Sequence, residues 1–434
     1  GVWKMIFHKQ IALLMAGALA VGTLAGCGGS KENTDAASSD SKGNKTLTVL
    51  THRTDMDAVF KTYKEEFEKS HPGVTVNFEA VNDYQNTLST RMGTEDYGDV
   101  LMMPANITKN QYKDFYEPMG TYDELKDKYG YLDNVNVDGT VYGLATGVNA
   151  IGFVYNDAVF KQAGIEKNPT SPEEYIADLK LIKEKTDAIP YYTNYVADWC
   201  LTNYSNTIEI EMAGDTDYMN KLVYDKNTFL PGTAIYDSLK LLHDAVKEGL
   251  VEDDPMTSDW EYSKQAMADG KIGVMCLGSW AVGQIKALSK NPDDIKFMPA
   301  PAIHDGKQMI QISPDYNMGV NIHSKNKELA KEFVKYFVEK YPEDSNMISS
   351  IVGAKLPDYL STDENTELVQ AVPGTTESAQ DFDTVQKESL INLADGTWIK
   401  TIIEIGLGNS NQTFDEYMQS LNKAWVSGIE ATGK

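Results

Sequence analysis

Tyr142 to Asn156 reads YGLATGVNAIGFVYN. The run is too long for one ordinary strand, is marked by three glycines, and carries no i, i+3, i+4 apolar stripe that would make it a helix. It reads as a long strand that leaves one lobe and enters another. Upstream, LTVL at 47–50 is a strand, THRTD is a loop, and Met56, Val59, Phe60, Tyr63 and Phe67 fall at helical spacing until HPG at 71–73 stops the helix. VTVNFEAV at 74–81 alternates as a strand does, a helix follows from Tyr84 to Met92, and DVLMM at 99–103 is an apolar run suited to a sheet covered on both faces. Strand, helix, strand, helix, strand makes an α/β lobe, whose ligand edge is expected at loops 51–55 and 104–108, after the carboxyl ends of the strands.

Downstream, the pattern predicts helices at 172–185 and 234–249, strands at IGVMC 272–276, KFMPAP and MGVNI 318–322, and a helix from Lys327 with Leu329, Phe333 and Phe337 on one face. No internal repeat is visible.

The amino-terminal region has a different character. Ile11 to Gly26 carries no charge, follows Lys4 and Lys9, and is too short for a membrane span of about 20 residues. It reads as a signal peptide over residues 1–26. Leu24-Ala25-Gly26-Cys27 resembles the lipobox of bacterial lipoproteins, which implies diacylation of Cys27, a signal strong enough for stable anchoring. Residues 27–45 then form a lipidated linker of Gly, Ser, Asn and charged residues that cannot bury enough surface to order itself. The protein is therefore expected at the cell surface, tethered to the outer face of the cytoplasmic membrane.

Charge narrows the partners. The chain carries 64 acidic against 39 basic residues, and loss of Lys4 and Lys9 with the signal would take the formal charge from −25 to −27. Such a surface repels nucleic acid and anionic lipid headgroups. Only Arg53 and Arg91 are arginines, so bidentate recognition of phosphate or carboxylate has few candidates and a neutral ligand is the simpler expectation. Cys200 and Cys276 show no CxxC spacing and read as buried free thiols.

Chemistry of the catalytic kind has little support. There is no G-x-S-x-G, H-E-x-x-H or phosphate-loop motif, and the six histidines never fall at i, i+4. A receptor and not an enzyme is expected, with no cofactor and no metal.

Taken in order, FEKSHPGVTV, GDVLMMP, YGLATGVNAIGFVYN, IGVMCLGSWAVGQI and NKELAKEFVKYF resemble the extracellular solute-binding proteins of ABC importers, the group that includes maltose-binding protein. The resemblance spans the chain from about residue 46. It implies a periplasmic-binding-protein-like α/β fold of two discontinuous lobes, 46–148 plus 301–345 and 149–300 plus 346–434, joined by a hinge with three crossings. It further implies a monomer that captures its ligand in the interlobe cleft and passes it to the transmembrane subunits of an ABC permease.

A carbohydrate is the expected ligand, since a sugar ring offers an apolar face to aromatic surfaces and a hydroxyl rim to fixed polar groups. Trp280, on a loop after an apolar strand, matches a cleft tryptophan of maltose-binding relatives. Trp398 precedes a run that matches the family's last helical region, where another cleft tryptophan lies, and Tyr191 aligns with a segment that stacks on sugar. Trp199 is either a ligand platform or a packing residue. Among polar groups, Asp55 either bonds hydroxyls or caps the helix at Met56; Thr54 and Arg53 share its loop, and Arg53 would matter chiefly for a carboxylate. Asn106 sits where relatives place a cleft acid or amide, or simply forms a turn. Asn149 falls where relatives keep a polar residue facing the ligand, and Tyr316 precedes a strand at the same edge. Relatives of the maltose type have an acid at the Asn149 position and a tryptophan at Met103, which argues against maltose itself. An acidic sugar, another solute on the same scaffold, or a secreted carbohydrate-active enzyme are the competing readings.

Overall fold

Alternation of period 2 and period 3.6 along the chain is realised element by element in the computed structural model, which describes residues 44–360 and 365–434. The signal peptide, Cys27 and the linker up to residue 43 lie outside the described residues. The chain begins β1 (Lys45–Thr51), α1 (Asp57–Ser70), β2 (Val74–Ala80), α2 (Tyr84–Arg91) and β3 (Val100–Met102). β4 (Leu144–Ala145) and β5 (Val148–Asn156) share the long glycine-marked run. There follow α3 (Pro172–Lys185), β6 (Ile189–Tyr191), α4 (Ala234–Lys247), α5 (Trp260–Ala268), β7 (Ile272–Gly278), α6 (Trp280–Leu288), β8 (Ile295–Met298), β9 (Gln308–Pro314), β10 (Asn317–Asn321), α7 (Lys327–Asp344) and β11 (Thr366–Val369). Helices α8 (Thr376–Ser389), α9 (Lys400–Gly406) and α10 (Phe414–Ala431) close the chain.

Two six-stranded sheets result. In the first, β2, β1 and β3 are parallel, β10 runs antiparallel beside β3, and both β4 and the short strand Tyr116–Glu117 pair with β10. In the second the order is β6-β7-β5-β9-β11, with β8 also on β5. Between β4 and β5 the chain passes through Thr146 and Gly147; a Cβ on Gly147 would sit 2.5 Å from Met347 Sδ, so only glycine lets this crossing pack so closely.

Burial explains why β5 reads as a near-continuous apolar run. Phe153 and Tyr155 face one core of the second lobe, while Val148, Ala150 and Val154 face another, so the strand is covered on both sides. In the first lobe, α1 buries Phe60, Tyr63 and Phe67 at spacings of three and four against the sheet, with Asp57 in its first turn and Lys69 in its last, matching the helix dipole. Cys200 and Cys276 are both buried and unpaired.

Candidate functional site

The site grows from the end of β1. Thr51 is buried, and its hydroxyl accepts from the Arg53 amide at 3.1 Å, curling the chain so that His52 and Arg53 turn inward. Arg53 donates through Nε and a terminal nitrogen to both oxygens of Asp55, at 2.7 and 2.8 Å, and through its other terminal nitrogen to Tyr341 Oη at 2.8 Å. Three of its five N–H donors are therefore taken by its own chain, including the bidentate pair to Asp55. The hydrogen-bonded guanidinium holds Asp55 below the usual carboxylate range. Asp55 does not cap α1: the helix begins one residue later than expected, at Asp57, with Met56 in the cap position and no side-chain cap. His52 stacks on Tyr316 at 4.2 Å, and burial together with the Arg53 charge lowers its pKa to about 4, so the ring is neutral at neutral pH.

A second wall is the turn from β9 to β10. Asp315 accepts from Asn149 Nδ2 at 3.2 Å, and its amide donates to the Gly147 carbonyl at 3.0 Å. Burial raises the Asp315 pKa. Asn149 is itself buried on β5, with its side-chain oxygen unpartnered. The Tyr316 carbonyl accepts from both the amide and the hydroxyl of Thr146, and its own hydroxyl accepts from Gln85 Nε2 at 2.7 Å.

The third wall comes from the second lobe. Ser279 bonds Ala150 twice, through its amide at 2.8 Å and its hydroxyl at 2.9 Å, fixing where α6 starts. Trp280 is therefore the first residue of a helix, not part of a loop as the sequence suggested. Its indole is half-buried, with Trp199 at 5.5 Å and Trp260 at 5.7 Å. Gly278 makes room for it, since a Cβ there would lie 2.4 Å from the indole nitrogen.

These walls enclose a hollow of about 510 Å³ between the lobes, lined by His52, Arg53, Asp55, Trp280, Gln284 and Asp315 together with the chain at 344–347. Asp315 also lines an adjoining hollow of about 400 Å³, where Gln85, Met103, Tyr112, Tyr316 and Asn317 complete the wall. One side is flat and aromatic and the other bears hydrogen-bonding groups, an arrangement that suits a ring with an apolar face and a polar rim.

Several expected residues stand elsewhere. Tyr191 is corrected: on β6 it points into the core at 2% exposure, edge-on to Tyr204, so no face is left for a ligand. Trp398 also lies outside both hollows; it packs edge-on against Phe229 at 6.1 Å and donates to the Asn392 carbonyl at 2.9 Å. Thr54 and Asn106 are exposed and line neither hollow, although Ala105 and Ile107, the neighbours of Asn106, do line the second. Sequence reasoning passed over His52, Asp315, Gln284 and Trp260. Asp315 had a partial signal, an acid directly before the chosen Tyr316 and close ahead of the expected strand at 318–322.

Among the described residues no helix is long and apolar enough to cross a membrane, and no group of His, Cys, Asp and Glu could hold a metal ion.

Two α/β lobes with a ligand-sized hollow between them define a solute-binding protein. The chain belongs to the bacterial extracellular solute-binding proteins, whose family model matches residues 51–340. A binding protein of an ABC transporter from Bifidobacterium animalis subsp. lactis ATCC27673, solved with mannobiose, is 34% identical, covers 89% of this chain and 95% of its own, and superposes with a TM-score of 0.77. A manno-oligosaccharide-specific protein of the same organism, solved with mannotriose, is 32% identical over 90% of this chain and 96% of its own, also at 0.77. The multiple sugar-binding protein of Streptococcus mutans is 27% identical over 76% of this chain and 79% of its own. The family and these neighbours are binding proteins and not enzymes.

Proposed function

We propose that the protein is a lipid-anchored receptor that captures a neutral oligosaccharide, of the manno-oligosaccharide class, in the interlobe hollow and delivers it to an ABC permease. The observation that carries this reading is the half-buried Trp280 indole lining the same hollow as Asp315. A pyranose laid on the indole would present its hydroxyls to Asp315, with the unpartnered Asn149 oxygen just behind it. The likeness to two manno-oligosaccharide complexes above 30% identity supports the choice of sugar. An acidic sugar is disfavoured because Arg53 is already paired to Asp55 and Tyr341.

The lobe division at 46–148 plus 301–345 and 149–300 plus 346–434 remains part of the proposal, save that β9 (Gln308–Pro314) pairs with β5 in the second sheet and goes with the second lobe. Anchoring through Cys27, a monomeric state and a place at the outer face of the membrane belong to the proposal too. Closure would follow from a ligand that touches both walls, by its difference in affinity for closed and open forms. The test is a thermal-shift series with mannobiose, mannotriose, raffinose, chitobiose and a uronic acid. A ligand at a hundred times its dissociation constant adds about 2.7 kcal/mol. A rise with the mannosides supports the reading; no rise with any neutral sugar overturns it.

A further inference from the structure

Outside the hollow, the indole of Trp280 is continued by two others. Trp199 and Trp260 stand 5.2 Å apart, edge to face, and each lies within 5.7 Å of Trp280, so the three form one aromatic ledge. Neither Trp199 nor Trp260 lines the hollow itself. Trp199 is 45% exposed, and Val196, three residues before it, and Tyr262, two residues after Trp260, are 54% and 50% exposed. An open cluster of large apolar side chains next to a binding hollow is not needed for folding and marks an interaction surface.

The ledge is held in place by polar groups beneath and behind it. Lys264 sits over Trp260 at 5.1 Å, pairs with Glu261 at 3.0 Å and donates to Gln284 Oε1 at 3.3 Å, and Gln284 lines the hollow. The Trp199 loop is fixed by the Val196 amide donating to Ser258 Oγ at 2.9 Å and by the Lys400–Asp198 ion pair at 3.2 Å. A rigid aromatic surface loses little conformational entropy when it binds.

Resting on the reading of the hollow as a sugar site, we infer that Trp199 and Trp260 form an outer stacking subsite, which holds the part of a neutral oligosaccharide chain that runs out of the hollow past Trp280. Continuity decides the occupant: the step of 5.5 Å from Trp280 to Trp199 is comparable to the advance of one pyranose along a chain. Charge agrees, because Asp198, Asp254, Asp259 and Glu261 lie close by in the chain and would repel a polyanion. The receptor is thus built to favour chains longer than the hollow can enclose.

Titration calorimetry with mannobiose, mannotriose, mannotetraose and mannopentaose on the whole protein tests this. Affinity is expected to rise about tenfold from the dimer to the tetramer, the factor that 1.4 kcal/mol corresponds to, and then to level off. In Trp199→Ala the tetramer-to-dimer ratio should fall to near one, and Trp199→Phe should restore most of it. Because Trp199 also touches Trp280, the ratio is the readout rather than either affinity alone, with unchanged melting temperature as the check on folding. Tight mannobiose binding with no gain in longer chains, or a ratio unaltered by Trp199→Ala, overturns the outer subsite and leaves the sugar reading intact. Absence of binding to every sugar removes both.

Discussion

The side-chain amide of Asn149 donates to the carboxylate of Asp315 across 3.2 Å, joining the start of the crossing strand β5 to the β9–β10 turn. Asn149 is buried and cannot turn to water, whereas Asp315 is half-buried and lines both hollows. Removing the Asn149 amide takes a hydrogen bond from a carboxylate, at about 1–3 kcal/mol. Asn149→Ala should lower the free energy of unfolding by that amount in urea titration. Asp315→Asn, which keeps the shape, should cost less stability but weaken sugar binding about tenfold in calorimetry through loss of a charged acceptor.

Trp280 is expected to dominate affinity, as a large ring backed by two others and lining the hollow. Trp280→Ala should weaken binding roughly a hundredfold, the loss of about 2.7 kcal/mol expected of a central aromatic anchor. Gly278→Ala offers an independent check. Its methyl would fall 2.4 Å from the indole nitrogen, displacing the ring without touching a ligand, and affinity should drop about tenfold. Unchanged binding in both variants would mean that the indole only packs.

Acid should weaken the empty protein through His52. Burial and the neighbouring Arg53 hold its folded pKa at about 4, against 6.5 when unfolded. Above pH 6.5 the ring is neutral in both states and nothing is lost. As the pH falls through 6.5 the unfolded chain takes up a proton first, so stability declines until about pH 4, by up to about 3 kcal/mol. Chemical denaturation at pH 7 and pH 4.5 should show this loss, and His52→Phe, which retains a ring against Tyr316, should lose markedly less.

Much of the scaffold was legible because periodicity is a direct readout of burial. The runs at 74–80 and 172–185 appear as strand and helix within the expected limits, and YGLATGVNAIGFVYN does divide between two sheets. The site was harder to read. Trp280 and Tyr191 are alike in sequence terms, each an aromatic near a strand end, and only tertiary packing sends one into the hollow and the other against Tyr204. Trp398 was drawn away by Phe229, 169 positions earlier in the chain, a partner that no local pattern reveals. Strands β9 and β11 were missed because their pairing is set from afar: β9 lies against β5, over 150 positions earlier, and β11 against β9.

Arg53 provides the sharpest test of ligand charge. Asp55 occupies two of its donor positions and Tyr341 a third, so the guanidinium enters the hollow already neutralised. A uronic acid would have to displace Asp55 or face Asp315, and the wild type should bind neutral mannosides at least a hundredfold more tightly than their uronic counterparts, about 2.7 kcal/mol apart. Asp55→Asn frees the fork while keeping the side-chain shape. In that variant the preference should shrink about tenfold, because a carboxylate can now take the bidentate place that Asp55 held. Competition calorimetry with a matched neutral and acidic disaccharide measures the ratio directly. A preference that stays the same in Asp55→Asn would place the source of discrimination at Asp315, where Asp315→Asn should then reduce it.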